Sequence, residues 1–159
     1  MLLKTLKGVG LSPVPSYADL MDAAANSLDF STTKGGAVFW SGGNMKAAQA
    51  WASSTGRTTL EQTAGGNYLV SLDLFANLKP HEAAAIWDVA SQRFADGASG
   101  QLHVFSTKAK MMSPYTGLPR TWWRIEKPAL LRNPNVTGVT RMKIDGTPAK
   151  NGHLVKGCK

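Results

Sequence analysis

Glu126 ends the phrase Trp122-Trp123-Arg124-Ile125-Glu126, an aromatic and apolar setting for one carboxylate in a chain of 18 Lys and Arg against 10 Asp and Glu. A lone acid beside indole rings makes a poor metal site, because a metal ion needs several donors. It is well suited to facing a cation that develops on a sugar ring. Glu126 is therefore the first catalytic candidate. Arg120, Arg124 and Lys127 bracket it with positive charge, which fits phosphate binding or ordinary solvated loop ends.

Other residues with possible chemistry are spread along the chain. Trp87 and Ser91 stand four apart in a helical pattern and project from one face, with Phe94 one turn on. Ala83, Ile86 and Ala90 share that spacing, so an ordinary core role competes for Trp87. Trp40, Trp122 and Trp123 face the same competition, but five tryptophans make an aromatic slot conceivable if two converge. Glu61 sits among threonines at 58–63, where a surface carboxylate or a cap is the plainer alternative. His81, His103 and His153 are scattered, and no Ser or Cys elbow accompanies them, which argues against a nucleophile triad. One cysteine, Cys158, leaves no internal disulfide and too few ligands for zinc or thiol chemistry.

These residues need a scaffold. With 159 residues, 43% of them apolar, the chain suits one domain, read as 16–159, after a linker or N-terminal arm over 1–15 that ends Ser-Pro-Val-Pro. Ser16 caps a first helix in which Leu20, Ala24 and Leu28 recur at helical spacing. Ala37 to Trp40 reads as a buried strand, broken by Ser41-Gly42-Gly43 and followed by a helix over 44–53. That turn could meet a phosphate, although no Gly-Lys-Ser or Gly-Lys-Thr follows to make it a P-loop. Residues 58–63 suit a short strand or exposed turn, while 67–75 fits helix or strand equally. Pro80 in a first turn, an alanine-rich body and Gly97 as the stop define a helix over 80–96, with Asn77 a possible cap. Strands are expected at 101–106 and 137–145, with a polar loop over 107–119 between them. The fold class that follows is α/β: a small, mainly parallel sheet flanked by helices, with an N-terminal helical segment and ligands beyond the strand ends.

The formal charge of +8 suits anionic partners: nucleic acid, phosphorylated small molecules, or an acidic protein covering the site. No run approaches the ~20 apolar residues that span a bilayer, and Met1 to Val9 is too short in apolar residues for a secretory signal. Export would need dedicated machinery, or the chain would be the C-terminal part of a larger polypeptide.

Four phrases in order resemble the ADP-ribosyl cyclase and NAD glycohydrolase family. They are Val38-Phe39-Trp40-Ser41, Thr59-Leu60-Glu61-Gln62-Thr63, Trp87-Asp88-Val89-Ala90-Ser91-Gln92-Arg93-Phe94 and Thr121-Trp122-Trp123-Arg124-Ile125-Glu126. The resemblance implies that Glu126 is the catalytic glutamate, that Trp40 and Trp87 line the nicotinamide and ribose pocket, and that Glu61 contacts the nicotinamide amide. Ser91 matches a polar residue on the substrate phosphates, and Thr121 and Trp122 match a Thr-Phe pair beside the glutamate. Three departures stand out. The family's Ser-Arg is Ser41-Gly42 here, so a phosphate contact must come from elsewhere, with Arg120 and Arg124 as candidates. An expected acid near Val70 is apolar, with Asp73 the nearest replacement. The animal enzymes are disulfide-rich and this chain is not, which points to the compact bacterial toxin branch.

The chemistry suits the residues. Breaking the nicotinamide–ribose bond expels a neutral ring from a pyridinium, so the leaving group needs no general acid. The site must instead supply a counter-charge for the oxocarbenium-like ribose, the role given to Glu126. Tryptophan faces accept the cationic ring at ~2 kcal/mol per desolvated contact, with Trp87 preferred over Trp40. NAD or NADP enters as substrate and no cofactor is implied. Capture of the ribosyl cation by water, the favoured outcome, gives ADP-ribose; capture by adenine N1 gives a cyclic product. The reading is a delivered toxin acting in the target-cell cytoplasm, with a cognate immunity protein as partner. Two alternatives use the same residues differently: an ADP-ribosyltransferase, and a basic RNA-cleaving or nucleic-acid-binding domain, disfavoured because its lysines are dispersed.

Overall fold

The structure is a computed structural model that describes residues 14–106, 112 and 119–153. The arm over 1–13, most of the 107–119 loop and Cys158 lie outside the described residues. Val14, at the end of that arm, packs against the core.

Helix α1 (Tyr17–Asn26) begins where Ser16 Oγ accepts the Asp19 amide at 3.1 Å, so the capping hydroxyl read from sequence does set the start. Strand β1 (Ala37–Trp40) leads through Ser41-Gly42-Gly43, with Gly42 at φ +64°, into α2 (Met45–Ser54). The left-handed backbone at Gly42 suits a residue without a Cβ. Strand β2 (Thr58–Thr59) runs into a 3-10 turn over Leu60–Gln62, so the segment left as strand or turn is both. Helices α3 (Ala64–Ser71) and α4 (Leu74–Asn77) follow, resolving 67–75 as helical. Helix α5 (Pro80–Asp96) has the bounds that proline, alanines and Gly97 dictate.

Beyond it come β3 (Gly100–Phe105), a π turn over Trp122–Glu126, α6 (Lys127–Arg132), β4 (Val136–Met142) and β5 (Pro148–His153). The sheet order is β2-β1-β3-β4-β5, parallel except for the antiparallel edge strand β5. This is the expected α/β class with its N-terminal helix. Side chains alternate across the strands. Phe39, Leu102 and Val104 face a large core shared with Leu20, Ile86, Phe94 and Trp122, whereas Val38, Phe105 and Met142 meet Ala48 and Ala52 of α2 on the other face.

Several expectations need correction. Asn77 does not cap α5: its amide turns back to the carbonyls of Leu72 and Asp73 at 2.9 and 3.0 Å, and Lys79 takes the cap position. The strand expected over 137–145 stops at Met142, because Asp145 accepts from the amide and hydroxyl of Thr147 to form a turn into β5. Gly65 and Gly66 lie in the first turn of α3. A Cβ on Gly66 would collide with the Leu60 carbonyl, so helix and 3-10 turn meet closely only over bare backbone.

Candidate active site

The site is assembled at the carboxyl ends of the parallel strands, where open α/β sheets bind ligands. Trp40 is the last residue of β1, and its indole Nε1 donates to Glu61 Oε1 at 2.9 Å. The threonine-rich phrase around Glu61 is what holds it there. Gln62 Oε1 accepts the Thr59 amide at 2.9 Å, while Thr63 Oγ1 donates to Leu60 O at 2.7 Å and accepts the Gly66 amide at 3.0 Å. Reciprocal bonds of this kind fix the 3-10 turn at both ends and leave Glu61 pointing outward from it.

Glu126 is buried, 6% exposed, at the end of the π turn. The wide turn has a local cause. Pro128 lacks the N–H that would bond Arg124 O, and ahead of it the Lys127 amide reaches back to Trp122 O. Trp122 anchors the turn: it is 1% exposed and its ring lies 5.5 Å from Phe39 of β1. Trp122 thus ties the turn that carries Glu126 to β1, while Trp123 is half-buried with Lys127 Nζ 5.0 Å from its ring.

Helix α5 packs against both turns. It carries half-buried Trp87 and buried Ser91, and Asp88 between them bonds Arg124 Nη2 at 2.9 Å. Arg124 Nε also donates to Pro119 O at 3.3 Å. Arg124, expected near phosphates, thus clasps α5 to the π turn. Arg120 is half-buried, and its carbonyl accepts the amides of Trp123 and Arg124; Thr121 leads directly into the turn. Arg93 and Phe94, in the same phrase as Trp87, are structural: Arg93 Nη1 donates to Ala24 O at 3.0 Å, and Phe94 packs 4.9 Å from Phe39.

The sequence misleads on one point: Glu126 is not electrostatically alone. Burial pushes its carboxyl well above the ordinary value of 4.5, and the charges of Glu61 and then Asp88 push it further. Neighbours this remote in sequence leave no local trace. Among the described residues no group of three His, Cys, Asp or Glu is placed to hold a metal ion. His103 sits on the other face of the sheet, 4.8 Å from Trp51. Burial, assisted by Arg57, holds its imidazole down at about 4, which makes it a neutral packing residue at physiological pH.

The sheet order, the helix placement and this strand-end site invite comparison with solved structures. The chain matches Aplysia cyclase complexed with substrate NGD and product cGDPR at TM-score 0.53 and 24% identity, covering 82% of this chain and 56% of that one. It matches ADP ribosyl cyclase complexed with N1-cIDPR at TM-score 0.54 and 23% identity, with the same coverage. Porcine CD38 complexed with a covalent intermediate, ribo-F-ribose-5'-phosphate, matches at TM-score 0.54 and 22% identity, over 80% of this chain and 59% of that one. The fold is that of the ADP-ribosyl cyclases. The chain spans under two thirds of the length of these structures. No protein-family model matches the chain, and no curated protein matches it by sequence.

Proposed function

We propose that this chain is an NAD(P) glycohydrolase that cleaves the nicotinamide–ribose bond to give nicotinamide and ADP-ribose. The observation that carries the reading is the buried Glu126 carboxyl, which feels the charge of Glu61, the hydrogen-bond partner of Trp40, and that of Asp88, the neighbour of Trp87 on α5. A carboxyl held high by burial and by two neighbouring acids is poised to respond to an incoming cation. As the pyridinium enters, its charge offsets theirs and favours the ionised form of Glu126.

In the reaction the bond between ribose C1′ and the nicotinamide nitrogen breaks, and its electron pair leaves with the ring, which becomes neutral. Glu126 stabilises the oxocarbenium-like ribose more than the ground state, the condition for lowering the barrier. Trp87 takes the cationic ring, with Trp40 second, and Glu61 contacts the carboxamide. Ser41, Ser91, Thr121 and Arg120 surround the ribose and phosphates, with Trp122 as backing and Arg124 at the edge. Water attacks C1′ and surrenders a proton, which the raised basicity of Glu126 equips it to receive.

The biological setting is a delivered toxin, reading 16–159 as its catalytic domain and 1–15 as a linker. It would leave the producing cell by a dedicated delivery system, or as part of a larger polypeptide, and deplete NAD in the target-cell cytoplasm. A +8 charge suits an acidic immunity protein that covers the site. Among the described residues no helix is long and apolar enough to cross a membrane. Incubating purified protein with NAD while following free nicotinamide and ADP-ribose tests the activity. A cyclic product would move the reading to cyclase, ADP-ribose bound to protein to transferase, and RNA loss without nicotinamide to a nuclease.

A further inference from the structure

Next to Ser41, already placed near the phosphates, a second hydroxyl stands out at the end of the sheet, that of Ser106. Strands β1 and β3 pair in parallel with Val38 opposite His103, Phe39 opposite Val104 and Trp40 opposite Phe105. The ladder runs one bond further, because the Ser41 amide donates to Phe105 O at 2.9 Å. Carried one residue beyond the ends of β1 and β3, that register sets Ser41 beside Ser106. Strand alternation then places both on the face of Phe39 and Val104, the face against which Trp122 and its π turn pack.

Both serines are buried, at 3% and 8% exposure, and neither Oγ has a hydrogen-bond partner among the described residues. Trp122 Nε1 on the same face is likewise buried and unpartnered. An indole N–H only donates, and a serine hydroxyl can donate as well as accept, so one acceptor group within reach would satisfy all three. Leaving such atoms unmet is costly, so each calls for an explanation, and a bound group that supplies the missing partner is one. The acids Glu61, Asp88 and Glu126 favour the cationic end of a substrate, which leaves its anionic end to a donor-rich corner. Gly42 contributes no side chain beside Ser41, and Arg124 is engaged by Asp88.

We infer that Ser106 is a substrate-contact residue that works with Ser41, the two hydroxyls donating to one phosphate group of a dinucleotide. This rests on the NAD reading and adds a residue with no counterpart among the four phrases of the sequence. A phosphate oxygen accepts several hydrogen bonds at once, so one oxygen or two on the same phosphorus can serve both serines.

The test compares the intact protein with Ser106→Ala and Ser106→Thr in four measurements. In NAD cleavage, Ser106→Ala should raise KM about 10-fold, the loss of one hydrogen bond to a charged group, with kcat nearly unchanged. Ser106→Thr, which keeps the hydroxyl, should recover most of that loss. With nicotinamide riboside, which has no phosphate, the two proteins should be equal. Calorimetry with inorganic pyrophosphate should show binding to the wild type and weaker binding to Ser106→Ala. Thermal unfolding of Ser106→Ala should occur at or above the wild-type temperature, because the lost hydroxyl had no partner. A lower Tm with unchanged KM and unchanged pyrophosphate binding would assign Ser106 to packing and overturn the inference. An equal KM rise on the riboside would overturn the phosphate assignment. Absence of nicotinamide release from the wild type overturns the NAD reading instead, while the pyrophosphate titration still decides the anion site.

Discussion

The indole N–H of Trp40 donates to the carboxylate of Glu61 at 2.9 Å, joining the end of β1 to a turn 21 residues later. One acid thereby orients an aromatic wall of the site and holds negative charge near Glu126. Glu61→Gln keeps an amide oxygen for the indole but removes the charge, so the Glu126 carboxyl should ionise at lower pH. The acid limb of the kcat/KM profile for NAD is expected to shift downward. Glu61→Ala removes the acceptor as well, and should additionally raise KM. A limb that stays in place in Glu61→Gln would separate Glu61 from Glu126.

Glu126→Gln should lower turnover at least ~100-fold, as loss of one focused electrostatic group does. Stability should move the other way. The folded-state carboxyl ionises at higher pH than the unfolded one, so its stabilising contribution is full below the ordinary value of 4.5 and is lost as pH rises through the raised value. Glu126→Gln has no such loss. Its Tm advantage over the wild type should therefore grow as pH climbs through that window, as calorimetry at a series of pH values would show. A pH-independent difference would mean that Glu126 is less buried in charge terms than its 6% exposure implies.

The Asp88–Arg124 pair is partly exposed, with side chains 27% and 34% accessible, so breaking it should cost no more than ~1 kcal/mol of stability. Its effect on the site should be larger. Arg124→Ala leaves the Asp88 charge uncompensated and should move the acid limb of kcat/KM to higher pH; Asp88→Asn should move it lower. The double variant should follow Asp88→Asn, since the guanidinium has no acid left to neutralise. If Arg124→Ala instead raises KM for NAD alone, with the limb fixed, Arg124 is a phosphate contact.

Trp87→Ala should raise KM for NAD about 30-fold, the equivalent of one desolvated cation–π contact of ~2 kcal/mol. Trp87→Phe should keep much of the affinity, because the ring face survives. Circular dichroism on both variants checks the helix. A melted α5 in Trp87→Ala would show that the indole's contribution to the core dominates.

The elements were legible wherever one local signal dominated. Ser16 as a cap, Pro80 and Gly97 as the limits of α5, and the short apolar runs of β1 and β3 each depend on neighbours in sequence. The proposal of Glu126 as the catalytic acid likewise began from its aromatic phrase. The π turn and β5 were not legible: one depends on how Pro128 disturbs a ladder already begun, the other on pairing across a turn made by Asp145 and Thr147.

What the tertiary structure alone decided is electrostatic and directional. Composition and local pattern named Glu126, Glu61 and Trp40, but only the packing of a 3-10 turn, a helix and a π turn placed Glu61 and Asp88 where their charges act on Glu126. Sequence likewise could not distinguish an arginine that meets phosphate from one that meets Asp88, nor show Ser106 beside Ser41. Coulombic and hydrogen-bond energies depend on distance through space, and residues dozens of positions apart acquire that distance only when the chain folds.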